Sequence, residues 1–165
     1  MQIKRNAGFT IVEMLIVVTI LAMLAGVLIP VLEDSASTSR DARRAADLKS
    51  VQAAVEAFHR VNGLYPDTGN RWSNELGTAE SYGPGGYIPG LVPEFLPALP
   101  KDPEEGTDFG SEGYAYRSDG TNFKLVAWNT PESFPVGNPF YDPQAADKNW
   151  QICTPGAYAW DRSGN

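Results

Sequence analysis

Hydrophobic and polar positions divide the chain into three regimes. In the first, the nineteen residues from Met14 to Leu32 carry no charge, and Phe9 to Glu13 extend the mostly apolar stretch to 24 positions. A helix of that length is about 36 Å long. A bilayer core is about 30 Å thick and takes roughly 20 apolar residues. A membrane-spanning helix is therefore expected over residues 9–32. In the second regime, residues 33–62, Leu48, Val51, Val55 and Phe58 recur at spacings of three and four, which places them on one helical face. Ala42, Ala45, Ala46, Ala53, Ala54 and Ala57 favour helix, and Asn62-Gly63 supplies the stop. The two regimes read as one helix from Phe9 to about Val61, approaching about 80 Å. It is expected to be interrupted or bent near Pro30, because proline removes a helical hydrogen bond.

The third regime, residues 63–165, is loop-rich with short β-prone runs. Tyr114–Arg117 and Asn122–Trp128 flank Ser118-Asp119-Gly120-Thr121, and Asp-Gly between such runs predicts a hairpin. Tyr114 and Tyr116 share one face, as do Phe123, Leu125 and Ala127, and one of these faces is expected to cover the helix stripe. A two-stranded hairpin is marginal alone; Ala157-Tyr158-Ala159-Trp160 is the expected third strand. Gly83-Pro84-Gly85-Gly86 cannot be helical, and Pro89, Pro93 and Pro97 predict turns. Residues 129–156, with Pro131, Pro135, Pro139, Pro143 and Pro155, predict a long surface loop.

Charge sharpens this picture. The net charge is −7, which makes general nucleic-acid binding a poor expectation. Residues 40–60 nevertheless hold Arg40, Arg43, Arg44, Lys49 and Arg60 against Asp41, Asp47 and Glu56. A basic stalk beside acidic heads would favour association between copies; Arg43 and Arg44 are its expected carriers. The single Cys153 forms neither an intrachain disulfide nor a metal framework and reads as a small, half-buried residue. His59, near the helix end, reads as structural. There is no phosphate-cradling glycine loop, zinc spacing or nucleophile motif, so no enzymatic activity is expected. Glu13 is the exception in the apolar run. An ionisable residue in such a place marks function and requires a partner.

The basic leader with Lys4 and Arg5, the Gly8-Phe9-Thr10 junction, Glu13 and the long apolar run together resemble the class III signal of the type IV pilin superfamily, which comprises pilins and the pseudopilins of type II secretion. The resemblance implies cleavage after Gly8 by a membrane prepilin peptidase, N-methylation of Phe9 by the same enzyme, and Glu13 as the assembly residue. It also implies that the helix around Pro30 melts when subunits pack. The implied fold is α+β, the pilin fold: a long N-terminal helix packed against a small antiparallel sheet. The expected divisions are a leader over 1–8, the transmembrane and assembly helix over 9–32, its amphipathic continuation over 33–62, and a globular β domain over 63–165.

Tyr65-Pro66 and Leu99-Pro100-Lys101-Asp102-Pro103 resemble segments of the G-type pseudopilins. The expected function is thus the major pseudopilin of a type II secretion system. The alternative is a surface pilin serving adhesion, motility or DNA uptake. A membrane-anchored domain that never polymerises is the rival outside the family. The implied partners are further copies in a helical filament, the prepilin peptidase, an inner-membrane assembly platform and minor pilins or pseudopilins. Lys4 and Arg5 place the N-terminus in the cytoplasm and the C-terminal domain outside the inner membrane. The G-type resemblance further implies a calcium site in the loop after the strands. Asp142 and Asp147 are its candidates, although calcium takes six to eight oxygens and two carboxylates supply few. Many pilins close their C-terminal loop with a disulfide, from which this chain departs.

A physical reason for Glu13 stands beside the resemblance. Cleavage would create a protonated amine at Phe9. A buried amine and a buried carboxylate are each costly alone and tolerable together. A pair formed between neighbouring subunits would fix the axial register of the packed helices.

Overall fold

The computed structural model describes residues 9–74, 86–104, 113–135 and 137–161. Helix α1, Ile11–Asn62, is 52 residues long. Its C-terminus closes where the sequence predicts. Gly63 adopts φ 76°, a conformation glycine takes without strain. Gly63 N donates to His59 O at 2.8 Å, and Asn62 Nδ2 donates to Phe58 O at 3.0 Å. The interruption expected near Pro30 is absent, since the backbone is helical through position 30. The missing N–H of Pro30 removes one bond, to the carbonyl of Gly26, and the turns on either side keep theirs.

The chain divides into two compact units after Ser37. In the first unit, every described side chain from Phe9 to Leu32 is exposed. In the second unit, the helix stripe Leu48, Val51 and Val55 is buried as predicted, with Phe58 packed against it. Four antiparallel strands lie in the order β1 (Ser73–Asn74), β2 (Gly113–Ser118), β3 (Phe123–Trp128) and β4 (Asn149–Cys153). The β2–β3 hairpin turns where Asp119-Gly120 predicts. Asp119 Oδ1 accepts from Thr121 N at 2.9 Å and Asn122 N at 2.7 Å, while Gly120 takes φ 81°.

Register fixes which side chains face the helix. Tyr116 is paired with Leu125, and Tyr114 with Ala127. Cross-strand partners share a face, so the two expected stripes are one surface. Together with Phe123 and Trp150 it packs with Leu48, Val51 and Val55 in one core, which Tyr87, Ile88, Leu91 and Phe140 complete. The opposite face is also buried, at Ala115, Arg117, Lys124, Val126 and Gln151. The C-terminal segment lies against it. Trp72 Nε1 donates to Asp161 O at 3.0 Å, and the Arg117 guanidinium sits 4.8 Å from the Trp160 ring centre.

Two expectations need correction here. Residues 157–160 form no strand; Pro155–Ala157 is a 3₁₀ turn. Pro155 has no N–H to donate to a ladder, Ala157 N bonds back to Thr154 O at 3.0 Å, and Gly156 sits directly on Asn122, leaving no room for a side chain. Strand β4, Asn149–Cys153, takes the place beside β3 instead. Residues 129–156 are therefore not a surface loop throughout, since Phe140, Asp142, Trp150 and Gln151 within them are buried.

Candidate assembly surface

Thr10 and Glu13 organise the start of α1. A helix begins with four backbone N–H groups that lack intrahelical partners. Glu13 Oε2 accepts from Thr10 N and from Thr10 Oγ1, each at 2.8 Å. Glu13 N donates to Thr10 Oγ1 at 3.2 Å. This is a reciprocal capping box, in which a Thr and a Glu three residues apart satisfy each other's backbone. The Thr-x-x-Glu spacing before an apolar run is its visible signal, and the sequence reading overlooks Thr10's part in it. The carboxylate is thus held back toward the N-terminal end, and Oε1 has no partner among the described residues.

Behind this cap, from Met14 to Leu32, the side chains are apolar except Thr19. Phe9 is 77% exposed and Ile11 81%. Thr19 satisfies its own hydroxyl by donating to Leu15 O at 2.6 Å, so it adds no unpaired donor to the surface. By length and composition α1 can cross a membrane. Gly8 and the rest of 1–8 lie outside the described residues, as do 83–85. Of Pro30 only the backbone, which is helical, is described.

Thr10→Val keeps the shape and removes the hydroxyl. It should cost about 1 kcal/mol of local stability, or about a fivefold faster amide exchange at Glu13 in detergent. Thr10→Ser should exchange like the unmodified chain. Equal rates for Val and Ser would show that the cap contributes nothing.

Within the second unit, an ion network ties α1 to two loops. Arg44 is fully buried, at 0% exposure. Its Nε and Nη2 each donate to a different Asp102 oxygen at 2.9 Å, and Nη1 donates to Asp41 at 2.9 Å and Glu132 at 3.0 Å. Thr130 Oγ1 adds a bond to Asp102 at 2.8 Å. Burial alone would lower the Arg44 pKa; the bonds to Asp102, Asp41 and Glu132 outweigh it and raise the value. Glu132 is held below the usual carboxylate range, first by its hydrogen bond from Arg40. The Leu-Pro-x-Asp-Pro segment thus supplies, in Asp102, the counter-charge of a buried arginine. This corrects the expected basic stalk in part: of its two expected carriers Arg44 is internal, whereas Arg43, 62% exposed in its side chain, faces solvent, as do Lys49 and Arg60. Sequence spacing gives no sign of a pair 58 residues apart.

The remaining candidates are placed as follows. His59 stacks on Tyr65 with ring centres 4.2 Å apart. Cys153 is half-buried, and burial pushes its thiol pKa up. Asp142 is buried against Lys124, whereas Asp147 is exposed. Among the described residues, no three or more His, Cys, Asp or Glu side chains group as metal ligands.

The N-terminal segment has counterparts among known proteins. Residues 3–29 match the family described as the prokaryotic N-terminal methylation motif. That motif and the named relatives that follow are consistent with the type IV pilin superfamily. The chain is 31% identical over 68 residues to the type II secretion system core protein G of Pseudomonas aeruginosa, covering 41% of this chain and 48% of that protein. It is 29% identical over 109 residues to the core protein G of Aeromonas hydrophila, covering 62% of this chain and 71% of the relative. It is also 33% identical over 79 residues to the type IV major pilin of Myxococcus xanthus, covering 48% and 34%. The chain thus spans about half the length of the Pseudomonas relative. No solved structure matches it.

Proposed function

We propose that this chain is the major structural subunit of a type II secretion pseudopilus, processed at Gly8-Phe9 and polymerised through α1. The observation that carries the reading is the contrast between its two units. Residues 9–32 present an unpartnered apolar helix headed by a fixed carboxylate, while the head has a complete core of its own. Such a helix needs lipid before assembly and other helices after it. Similarity to proteins named core protein G supports secretion as the setting.

In this reading the subunit waits in the inner membrane with Lys4 and Arg5 inside and the head outside. A peptidase removes residues 1–8 and methylates Phe9. An assembly platform then adds the chain to a helical filament, where Glu13 of one subunit meets the Phe9 amine of another and Pro30 marks a stretch that unwinds. Minor pseudopilins complete the partner set.

The test is the intact mass of the chain in membranes and in fibres sheared from cells. A mass for Phe9–Asn165 plus one methyl group, in membranes with few surface fibres, is the expected result. The same mass in abundant surface fibres would move the reading to a surface pilin. A chain retaining Met1–Gly8, with no fibres, would overturn it in favour of an anchored domain.

A further inference from the structure

We infer that the head of this subunit is held closed by an internal cation, the Lys124 ammonium, and that its fold is independent of calcium. The resemblance to G-type pseudopilins implies a calcium site in the loop after β3, with Asp142 and Asp147 as its carboxylates. The side chains present there do not fit one.

Lys124 lies on β3 and is 1% exposed. Its Nζ donates to Asp142 Oδ1 at 3.2 Å and to the carbonyl of Trp160 at 2.7 Å. One positive charge thus holds three parts of the head together: the hairpin, the 140s loop and the C-terminal segment. This is the mechanical task a bound metal would perform, using one carboxylate and one carbonyl, the oxygen types calcium prefers. Asp142 Oδ1 also accepts Gln144 N at 3.0 Å, which fixes the turn that presents it.

A divalent ion sharing Asp142 would stand beside this ammonium and be repelled by it. It would also find too few carboxylates. Asp147 is exposed, and no third acidic side chain joins the two among the described residues. The Asp142 charge, buried to 1% exposure, already has the compensation that burial demands. The inference is independent of the filament reading, because it concerns the stability of the unassembled head.

The experiment is thermal unfolding of the processed full chain in detergent, followed by tryptophan fluorescence, in millimolar calcium and in excess EGTA. The same midpoint is expected in both. Lys124→Met should lower the midpoint by about 10 °C or more in either buffer, because it strands a buried carboxylate. Adding Asp142→Asn to that variant should recover part of the loss. Terbium titrated into the unmodified chain should give no saturable tryptophan-sensitised emission. A midpoint that falls on chelation, saturable terbium binding, or a Lys124→Met chain as stable as the original would each overturn the inference. If Lys124→Met does not accumulate, chelation and terbium on the unmodified chain decide alone.

Discussion

Glu13→Ala is expected to give a subunit that enters the membrane and loses its leader normally, yet polymerises about a hundredfold less well, or worse. Among the described residues of the isolated chain, the carboxylate's hydrogen-bond partner is its own helix end, through Thr10. Packing against other helices would remove water from it and from the Phe9 amine of a neighbour. Breaking such a pair by deleting one member costs about 3–5 kcal/mol, because the other charge stays buried. That cost recurs at each subunit added. Glu13→Gln separates the two roles of the side chain. Glutamine also completes a capping box but carries no charge, so it should assemble as poorly as alanine. The readout is the processed subunit recovered in sheared filaments relative to membranes. Filaments at normal yield from Glu13→Gln would show that the cap, and not the charge, matters.

The second large effect is expected inside the head. Arg44→Met should cost about 3–5 kcal/mol, a large share of the total of about 5–15 kcal/mol typical of a domain. Asp102, whose side chain is fully buried, would lose the guanidinium that holds both of its oxygens. Arg44→Lys should be nearly as harmful, since an ammonium cannot make the paired bonds from Nε and Nη2. Arg43→Glu, on the exposed side, should change stability little. Denaturant midpoints of the four chains in detergent check the order. The same network sets an acid limit. The Glu132 pKa is lowered in the folded head from an ordinary 4.5. Its contribution is therefore complete above about that ordinary value and is lost as pH falls through the lower folded one. Unfolding midpoints should decline over that acid range and more steeply than in Glu132→Gln; parallel curves would remove Glu132 from the network.

Local signals in the sequence carried much of this architecture. Leu48, Val51 and Val55 mark the packed stripe because helix periodicity is local. Asp119-Gly120 marks the hairpin because its turn needs a residue at positive φ. Asn62-Gly63 ends the helix for the same reason. The failures are non-local. Tyr158 and Trp160 look more β-prone than Asn149–Cys153, but Pro155 and the contact of Gly156 with Asn122 decide the path. Arg44 looks like part of a solvated basic face until the chain brings Asp102 back to it. Thr10 was legible through the Thr-x-x-Glu spacing, although attention falls more readily on the charge it holds.

None of the buried apolar side chains in the described structure precedes Leu48. The described core of the head is thus built within one copy, and in the proposed filament growth need not be coupled to folding of that core. Growth then joins heads that are already folded, and filament dismantling should return those heads folded and ready for reuse.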